Sequence, residues 1–145
     1  MRKKIKILVM GLPGSGKTTL SDKLAPLIKA SRVNADEVRK KFNDWDFSLE
    51  GRIRQSNRMN ELSDQEIKKN KNVVTDFVCP TKGARKKFSA DYIIWMNTID
   101  QGRFEDTNKM FEIPDNQEID FEVKEKNAEA IKHLILTDLK LKFEI

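Results

Sequence analysis

Gly11-Leu12-Pro13-Gly14-Ser15-Gly16-Lys17-Thr18 is the stretch on which the reading of this chain turns. It fits G-x-x-x-x-G-K-[ST] at every fixed position. Upstream, residues 5–10 (IKILVM) are continuously apolar, as expected of a parallel strand buried on both faces. Downstream, Leu20, Leu24, Leu27 and Ile28 recur at helical spacing, and Pro26 is expected to kink or end that helix. Strand, glycine-rich turn and helix form the context the motif requires. The glycines let the backbone turn so that successive N–H groups face one anion, and the helix N-terminus adds the positive end of its dipole. Gly11, Leu12, Pro13, Gly14, Ser15, Gly16, Lys17, Thr18 and the following Thr19 are therefore the expected ATP-phosphate site. Lys17 is expected to reach the β and γ phosphates and the Thr18 hydroxyl to ligate Mg²⁺.

The rest of the chain alternates short strands and helices. A strand at residues 31–33 leads to Asn34, a good N-cap for a helix through Phe42. Residues 49–69 are polar with sparse apolar points (Ile53, Met59, Leu62, Ile67), which predicts an exposed helix broken near Ser63. Residues 72–77 and 92–96 read as buried strands, with a short basic helix opening at Pro80 between them. Residues 97–118 are expected to be irregular, with Pro114 and Asp115-Asn116 as turn signals. A fifth strand is expected at 119–123, then an amphipathic helix at 127–138 with Ile131, Leu134 and Ile135 inward. In the tail, Leu139, Leu141, Phe143 and Ile145 alternate with polar residues, a strand period that would pair with a sheet edge or with a second copy in a homodimer. The pattern predicts one domain over residues 1–145: a three-layer α/β P-loop NTPase fold, with about five mostly parallel strands flanked by helices.

Bulk properties agree with one core in 145 residues, 38% hydrophobic and 35% charged. No apolar run is long enough to cross a membrane. The start, MRKKIKILVM, has the basic-then-apolar look of a signal peptide, but it runs straight into the glycine-rich loop instead of a cleavage site. Cys79 is the only cysteine, so no internal disulfide forms and a cytoplasmic home is expected. The formal charge of +5 suits anionic partners, nucleotides or nucleic acid. The clusters at residues 2–4 and 68–71 read as solvated ends of elements. That at 82–87 follows a strand on the ligand side and stays open.

Residues 33–39 (VNADEVR) lie at the end of the second strand, where the carboxyl ends of strands face the ligand crevice. Asp36 could orient or deprotonate an acceptor hydroxyl and help hold hydrated magnesium. Arg39, one turn later, could clamp a phosphate. Equally, Asp36 and Glu37 could simply favour the helix start and Arg39 be solvated. Asp76, at the end of the third strand, is a candidate magnesium-water ligand or a strand-end turn residue. His133 is expected on the surface, Cys79 as a packed small side chain, and Trp45 and Trp95 packed. No Cys/His cluster suggests a structural metal.

Several segments, in order, resemble the adenylylsulfate kinase family. Its D-G-D-x-V-R is matched by Asn34-Ala35-Asp36-Glu37-Val38-Arg39. Its F-S-x-x-x-R-x-x-N is matched by residues 47–55 (FSLEGRIRQ), and F-I-S-P-x-R-x-x-R by residues 77–85 (FVCPTKGAR). A last segment like F-T-G-I-D-D-P-Y-E-x-P-x-N-P-E stands at 104–118. The resemblance covers roughly residues 5–123. It implies a kinase that moves the ATP γ-phosphate to the 3′-hydroxyl of adenosine 5′-phosphosulfate, with Mg²⁺. It implies Asp36 as base or magnesium-organising carboxylate beside Lys17, with Thr18 and Asp36 on the metal. Arg39 and Arg52 would hold the phosphosulfate, Phe47 and Phe104 would sandwich the adenine, Gln55 would replace a substrate-binding asparagine, and Phe77 would join the acceptor site.

Three departures stand out. The first aspartate of D-G-D is Asn34, the glycine is Ala35, and the family's mobile lid is essentially missing between Met96 and Phe104. Lys109 or Arg103 could supply the charge the lid would have carried. Two other readings follow. A polynucleotide 5′-hydroxyl kinase also places N-x-D-x-x-R after the loop, fitting Asn34, Asp36 and Arg39, and would take nucleic acid. A nucleotide-binding module impaired in catalysis would explain the lost lid.

Overall fold

The computed structural model describes residues 3–102 and 104–145. Strand β1 (Lys6–Met10) is buried throughout and is followed by helix α1 (Lys17–Leu27). Strand β2 (Ser31–Asn34) runs into α2 (Ala35–Phe42), and Asn34 caps that helix by accepting from the Glu37 backbone N–H. Helix α3 (Leu49–Lys68), strand β3 (Val73–Asp76), helix α4 (Lys82–Phe88) and strand β4 (Tyr92–Met96) follow. Helix α5 (Glu105–Met110), strand β5 (Phe121–Val123) and helix α6 (Ala128–Lys142) complete the order.

The described strands form one parallel sheet in the order β2-β3-β1-β4-β5. Side chains alternate across it and build a layer of core on each face. Ile7, Val9, Val74, Ile94 and Met96 meet Leu20 and Leu24 of α1 with Ile135 and Leu139 of α6. On the other face Leu8, Met10, Val33 and Val73 meet Val38 of α2, Met59 of α3 and Phe88 of α4. The strand carrying the glycine-rich loop is thus central, and the chain leaves it first to one side and then to the other. That switch opens a crevice at the strands' carboxyl ends. Among the described residues no helix is long and apolar enough to cross a membrane.

Four expectations change. Helix α3 runs unbroken through Ser63, whose hydroxyl bonds the Met59 carbonyl at 2.6 Å and Thr75 Oγ1 of β3 at 2.6 Å. A polar residue that would weaken an exposed helix here ties it to the sheet. The span 97–118 is not all irregular, since it contains α5. The tail is helix to Lys142, not strand. Ile131, Ile135, Leu139 and Phe143, four residues apart, form a helical stripe on the core, and burying it outweighs the alternation. Leu134 consequently points outward, not inward, and Leu141 is also exposed.

Candidate active site

The glycine-rich loop takes the backbone shape its glycines allow. Gly11 has φ +149°, and a Cβ there would come 2.8 Å from the Met96 carbonyl oxygen. Gly16 caps α1 at φ +100°, a left-handed conformation natural to glycine. The next turns close on themselves, with Ser15 N–H donating to Leu12 O at 3.1 Å and Lys17 Nζ to the same oxygen at 3.0 Å. Thr98, just past β4, donates its hydroxyl to Ser15 O at 2.7 Å and braces the loop from the side. Sequence reading missed Thr98, because a lone threonine in a loop carries no signal.

A cleft of about 1020 Å³ runs from this loop along the strand ends. It is lined by Pro13, Gly14, Gly16, Lys17, Thr18 and Thr19 at one end, and by Arg39, Phe47, Arg52, Gln55 and Phe104 at the other. Asp36, Asp76 and Phe77 also line it. Gly11, Leu12 and Ser15 are buried behind the lining. One cavity therefore holds nearly every residue singled out from the sequence, although they lie on six different segments.

The wall beside Thr18 is a polar network. Thr18 donates its hydroxyl to Asp76 Oδ2 at 3.0 Å, and Asn34 Nδ2 donates to the same oxygen at 3.0 Å while lying 3.2 Å from Thr18 Oγ1. Asn34 and Asp76 are register partners on β2 and β3, which is why their side chains meet. Asp76 is 2% exposed. On its other side Arg32 Nη1 lies 2.6 Å from Oδ1 in an ion pair, and the same nitrogen donates to the Val74 carbonyl at 3.0 Å. Among the described residues no group of three or more His, Cys, Asp or Glu could hold a metal alone. One hydroxyl and one hard carboxylate beside a phosphate-binding loop instead fit magnesium, which keeps waters and phosphate oxygens as ligands. Asp36 lies exposed at the start of α2 in the same cleft.

At the far end two guanidiniums share one aromatic ring. Arg39 lies 4.3 Å and Arg52 5.9 Å from the Phe47 ring centroid. Arg39 is buried, and its Nη1 donates to the Asp44 carbonyl at 3.0 Å and the Asp46 carbonyl at 3.3 Å. Burial lowers its pKa below the ordinary guanidinium value; Asp44 opposes that shift and the nearby Arg52 charge adds to it. Arg52 donates from Nε to Phe47 O at 2.8 Å and from Nη1 to Thr107 Oγ1 at 3.0 Å, tying α3 to α5. The two like charges are held by neutral oxygens, the Asp44, Asp46 and Phe47 carbonyls and the Thr107 hydroxyl, and the charges of Asp44, Asp36 and Asp46 also act on Arg39. Phe47 and Phe104 are each 55% exposed, and both line the cleft. Phe77 is different, since it is buried against Phe88 at 5.5 Å and forms the floor. Gln55 is also buried; its Nε2 donates to Ala35 O at 2.9 Å, and among the described residues its Oε1 has no hydrogen-bond partner.

Several residues stand elsewhere than expected. Trp45 is not packed; it is 51% exposed and lines the cleft. The basic cluster at 82–87 splits, because Lys82 pairs with Asp115 at 3.0 Å whereas Arg85 is buried and bonds Cys79 O and Pro80 O. Arg85 thereby holds the segment carrying Cys79, which has φ +47°. Lys109 pairs with Glu105 at 3.4 Å on α5, and Arg103 lies outside the described residues. Lys126, after β5, was unforeseen: it lines the cleft, and its stem passes Gly16, where an added Cβ would lie 3.8 Å from Lys126 Cγ. Gly51 on α3 was also missed. Any Cβ there would overlap the Asp46 backbone, so the segment carrying Phe47 reaches its place only over a glycine.

Fold and site together define a P-loop NTPase-like protein of kinase-like architecture. Residues 7–90, more than half of the chain, match the model of an AAA domain family, and the chain belongs to that family. No curated protein matches it. Among solved structures it is similar to the APS kinase of Mycobacterium tuberculosis in complex with AMPPNP and APS, with TM-score 0.79, 15% identity, and 97% of this chain and 99% of that one covered. It is also similar to the shikimate kinase of Aquifex aeolicus, with TM-score 0.67, 18% identity and coverage of 95% and 98%. A gluconokinase from Sinorhizobium meliloti gives TM-score 0.65, 14% identity and coverage of 98% and 99%. At such identities these likenesses establish the fold.

Proposed function

We propose that this protein is an ATP- and magnesium-dependent kinase that phosphorylates an alcohol on a small nucleotide, with the 3′-hydroxyl of adenosine 5′-phosphosulfate the preferred acceptor. One observation carries the reading: a single cleft has the phosphate-binding loop at one end and an open aromatic face backed by two guanidiniums at the other. A flat base and an anionic group on one molecule would be held by such a pair. Shikimate and gluconate, the acceptors implied by the other two neighbours, have no base to stack.

In this reading Lys17 exchanges the Leu12 carbonyl for the β and γ phosphates, and the loop N–H groups hold the remaining oxygens. Magnesium, when bound with ATP, neutralises charge on the transferring phosphoryl group, and Thr18 and Asp76 are the residues that would hold it and its waters. Asp36 orients the acceptor hydroxyl and takes its proton. Arg39 and Arg52 bind the phosphosulfate, and Phe47 with Phe104 clasps the adenine. Lys126 stands on the nucleotide side, where a lid cation would otherwise be. The chemistry asks mainly for positioning and charge, and these groups supply both.

A second reading, transfer to the 5′-hydroxyl of a polynucleotide, is favoured by Trp45, a further open aromatic face in the same cleft. The test offers γ-³²P-ATP with adenosine 5′-phosphosulfate or a 5′-hydroxyl oligonucleotide in parallel. Label in 3′-phosphoadenosine 5′-phosphosulfate supports the first reading, and label only on the oligonucleotide supports the second. Label on neither, with ATP binding intact, leaves a nucleotide-binding module or another acceptor.

A further inference from the structure

We propose that Arg32 is a built-in counter-ion for Asp76, which holds that carboxylate ready in the nucleotide-free protein and competes with the divalent cation for it. This rests on the reading of Thr18 and Asp76 as the magnesium side of the site. Asp76 is a carboxylate with 2% exposure, in a position where a buried charge needs a partner. Its Oδ2 is satisfied by Thr18 and Asn34. Its Oδ1 is met by Arg32 Nη1 at 2.6 Å, and the same nitrogen donates to Val74 O at 3.0 Å. The contact is a close ion pair on the side of the carboxylate turned away from Thr18.

Arg32 is held from behind as well. Its Nε donates to Asp22 Oδ1 at 3.1 Å, on the α1 helix whose first turn carries Thr18. One guanidinium thus bridges β2, β3 and α1, with its Nε and Nη1 donors fixed in one plane. Arg32 does not line the cleft, whereas Thr18, Asn34 and Asp76 do. It is a positioning residue acting through Asp76. A cation arriving beside Thr18 is drawn by Asp76 and opposed by Arg32. The pair keeps the wall assembled without metal and weakens the metal's grip, so that magnesium enters and leaves with the nucleotide.

The experiment measures the affinity of the full chain for AMPPNP by calorimetry, in magnesium and in EDTA. The ratio of the two dissociation constants reports the coupling between metal and site. In Arg32→Met the magnesium-dependent gain is expected to grow about fivefold or more, because the opposing charge is gone. Its melting temperature in EDTA falls, and magnesium with AMPPNP recovers most of the loss. Asp22→Asn changes an exposed residue, tolerates folding, and should shrink the gain, since Arg32 is then neutralised by Asp76 alone. An unchanged ratio in both variants, or a melting loss equal with and without metal, would make Arg32 purely structural and overturn the proposal. Asp76→Asn tests the underlying reading by itself: if it leaves the ratio unchanged, Asp76 is not on the metal side. If it removes the gain and Arg32→Met has no further effect on that background, reading and proposal stand together.

Discussion

Asn34 donates its side-chain amide to Asp76 Oδ2 at 3.0 Å, across two register-paired strand ends 42 residues apart in sequence. The same side chain caps α2 through its oxygen. An asparagine can do both because it carries a donor and an acceptor on one short arm. The departure from D-G-D at this position therefore has a physical sense. With a carboxylate already on β3, a second one on β2 would stand oxygen to oxygen against it. The acid is supplied from β3, and β2 contributes the donor.

Asn34→Asp should fold and keep its cap, since aspartate caps as well as asparagine. It loses the donor and sets two carboxylates together, which is expected to cost about 1–3 kcal/mol in metal-free buffer. Urea unfolding with and without magnesium and AMPPNP checks this. The deficit should narrow when the metal is present.

Lys17→Ala removes the cation of the phosphate-binding loop. Transfer of labelled phosphate should fall by about a hundredfold or more, and the ATP dissociation constant should rise, because the ammonium lines the cleft beside the loop where the phosphates would lie. Residual transfer near the wild-type rate would mean that the measured activity comes from elsewhere.

Gly51→Ala tests the acceptor end without touching it. The new methyl overlaps the Asp46 backbone, and the segment from Asp44 to Ser48 must move. A loss of about 1–3 kcal/mol is expected, as for other overpacked sites. Phe47 should shift with that segment, so KM for the acceptor should rise about tenfold while the ATP dissociation constant holds. An equal change in both would show that the damage is global.

Cys79 supplies a pH prediction. Burial pushes its thiol up to about 12 from 9.0. The folded value lies above the unfolded one, so the contribution is complete below about pH 9 and is lost as pH climbs toward 12. Tyr92 moves the same way, through burial first and then its bond to Asp138. Urea midpoints measured from about pH 8 to 11 should therefore decline, by at most about 1.4 kcal/mol per pH unit for each group. Thiol reagents at about pH 8 should label Cys79 only at the rate of unfolding, and rapid labelling of the native protein would contradict its burial.

Local patterns read well wherever a single segment decides its own structure. The strand at 92–96 and the helix through Phe42 with its Asn34 cap follow from periodicity and capping chemistry over fewer than a dozen residues. The tail misled because an alternating pattern and a four-residue stripe coexist in it, and only the packing of α6 on α1 selects the stripe. Ser63 misled because its partner, Thr75, lies on another element.

The same division holds for the candidate site. The phosphate-binding loop was determined by sequence alone, since its shape depends on glycine dihedrals and its charge on residues within one turn. The family resemblance also implies an acceptor-side role for Arg39, Phe47 and Arg52. Their grouping around one ring is another matter, as are the bond from Arg52 to Thr107 across 55 residues and the convergence of Arg32, Asn34 and Thr18 on Asp76. Those are products of strand register and of one helix passing another. They were decided by the tertiary structure, because the side chains meet only after the sheet has brought distant segments to the same edge of the crevice.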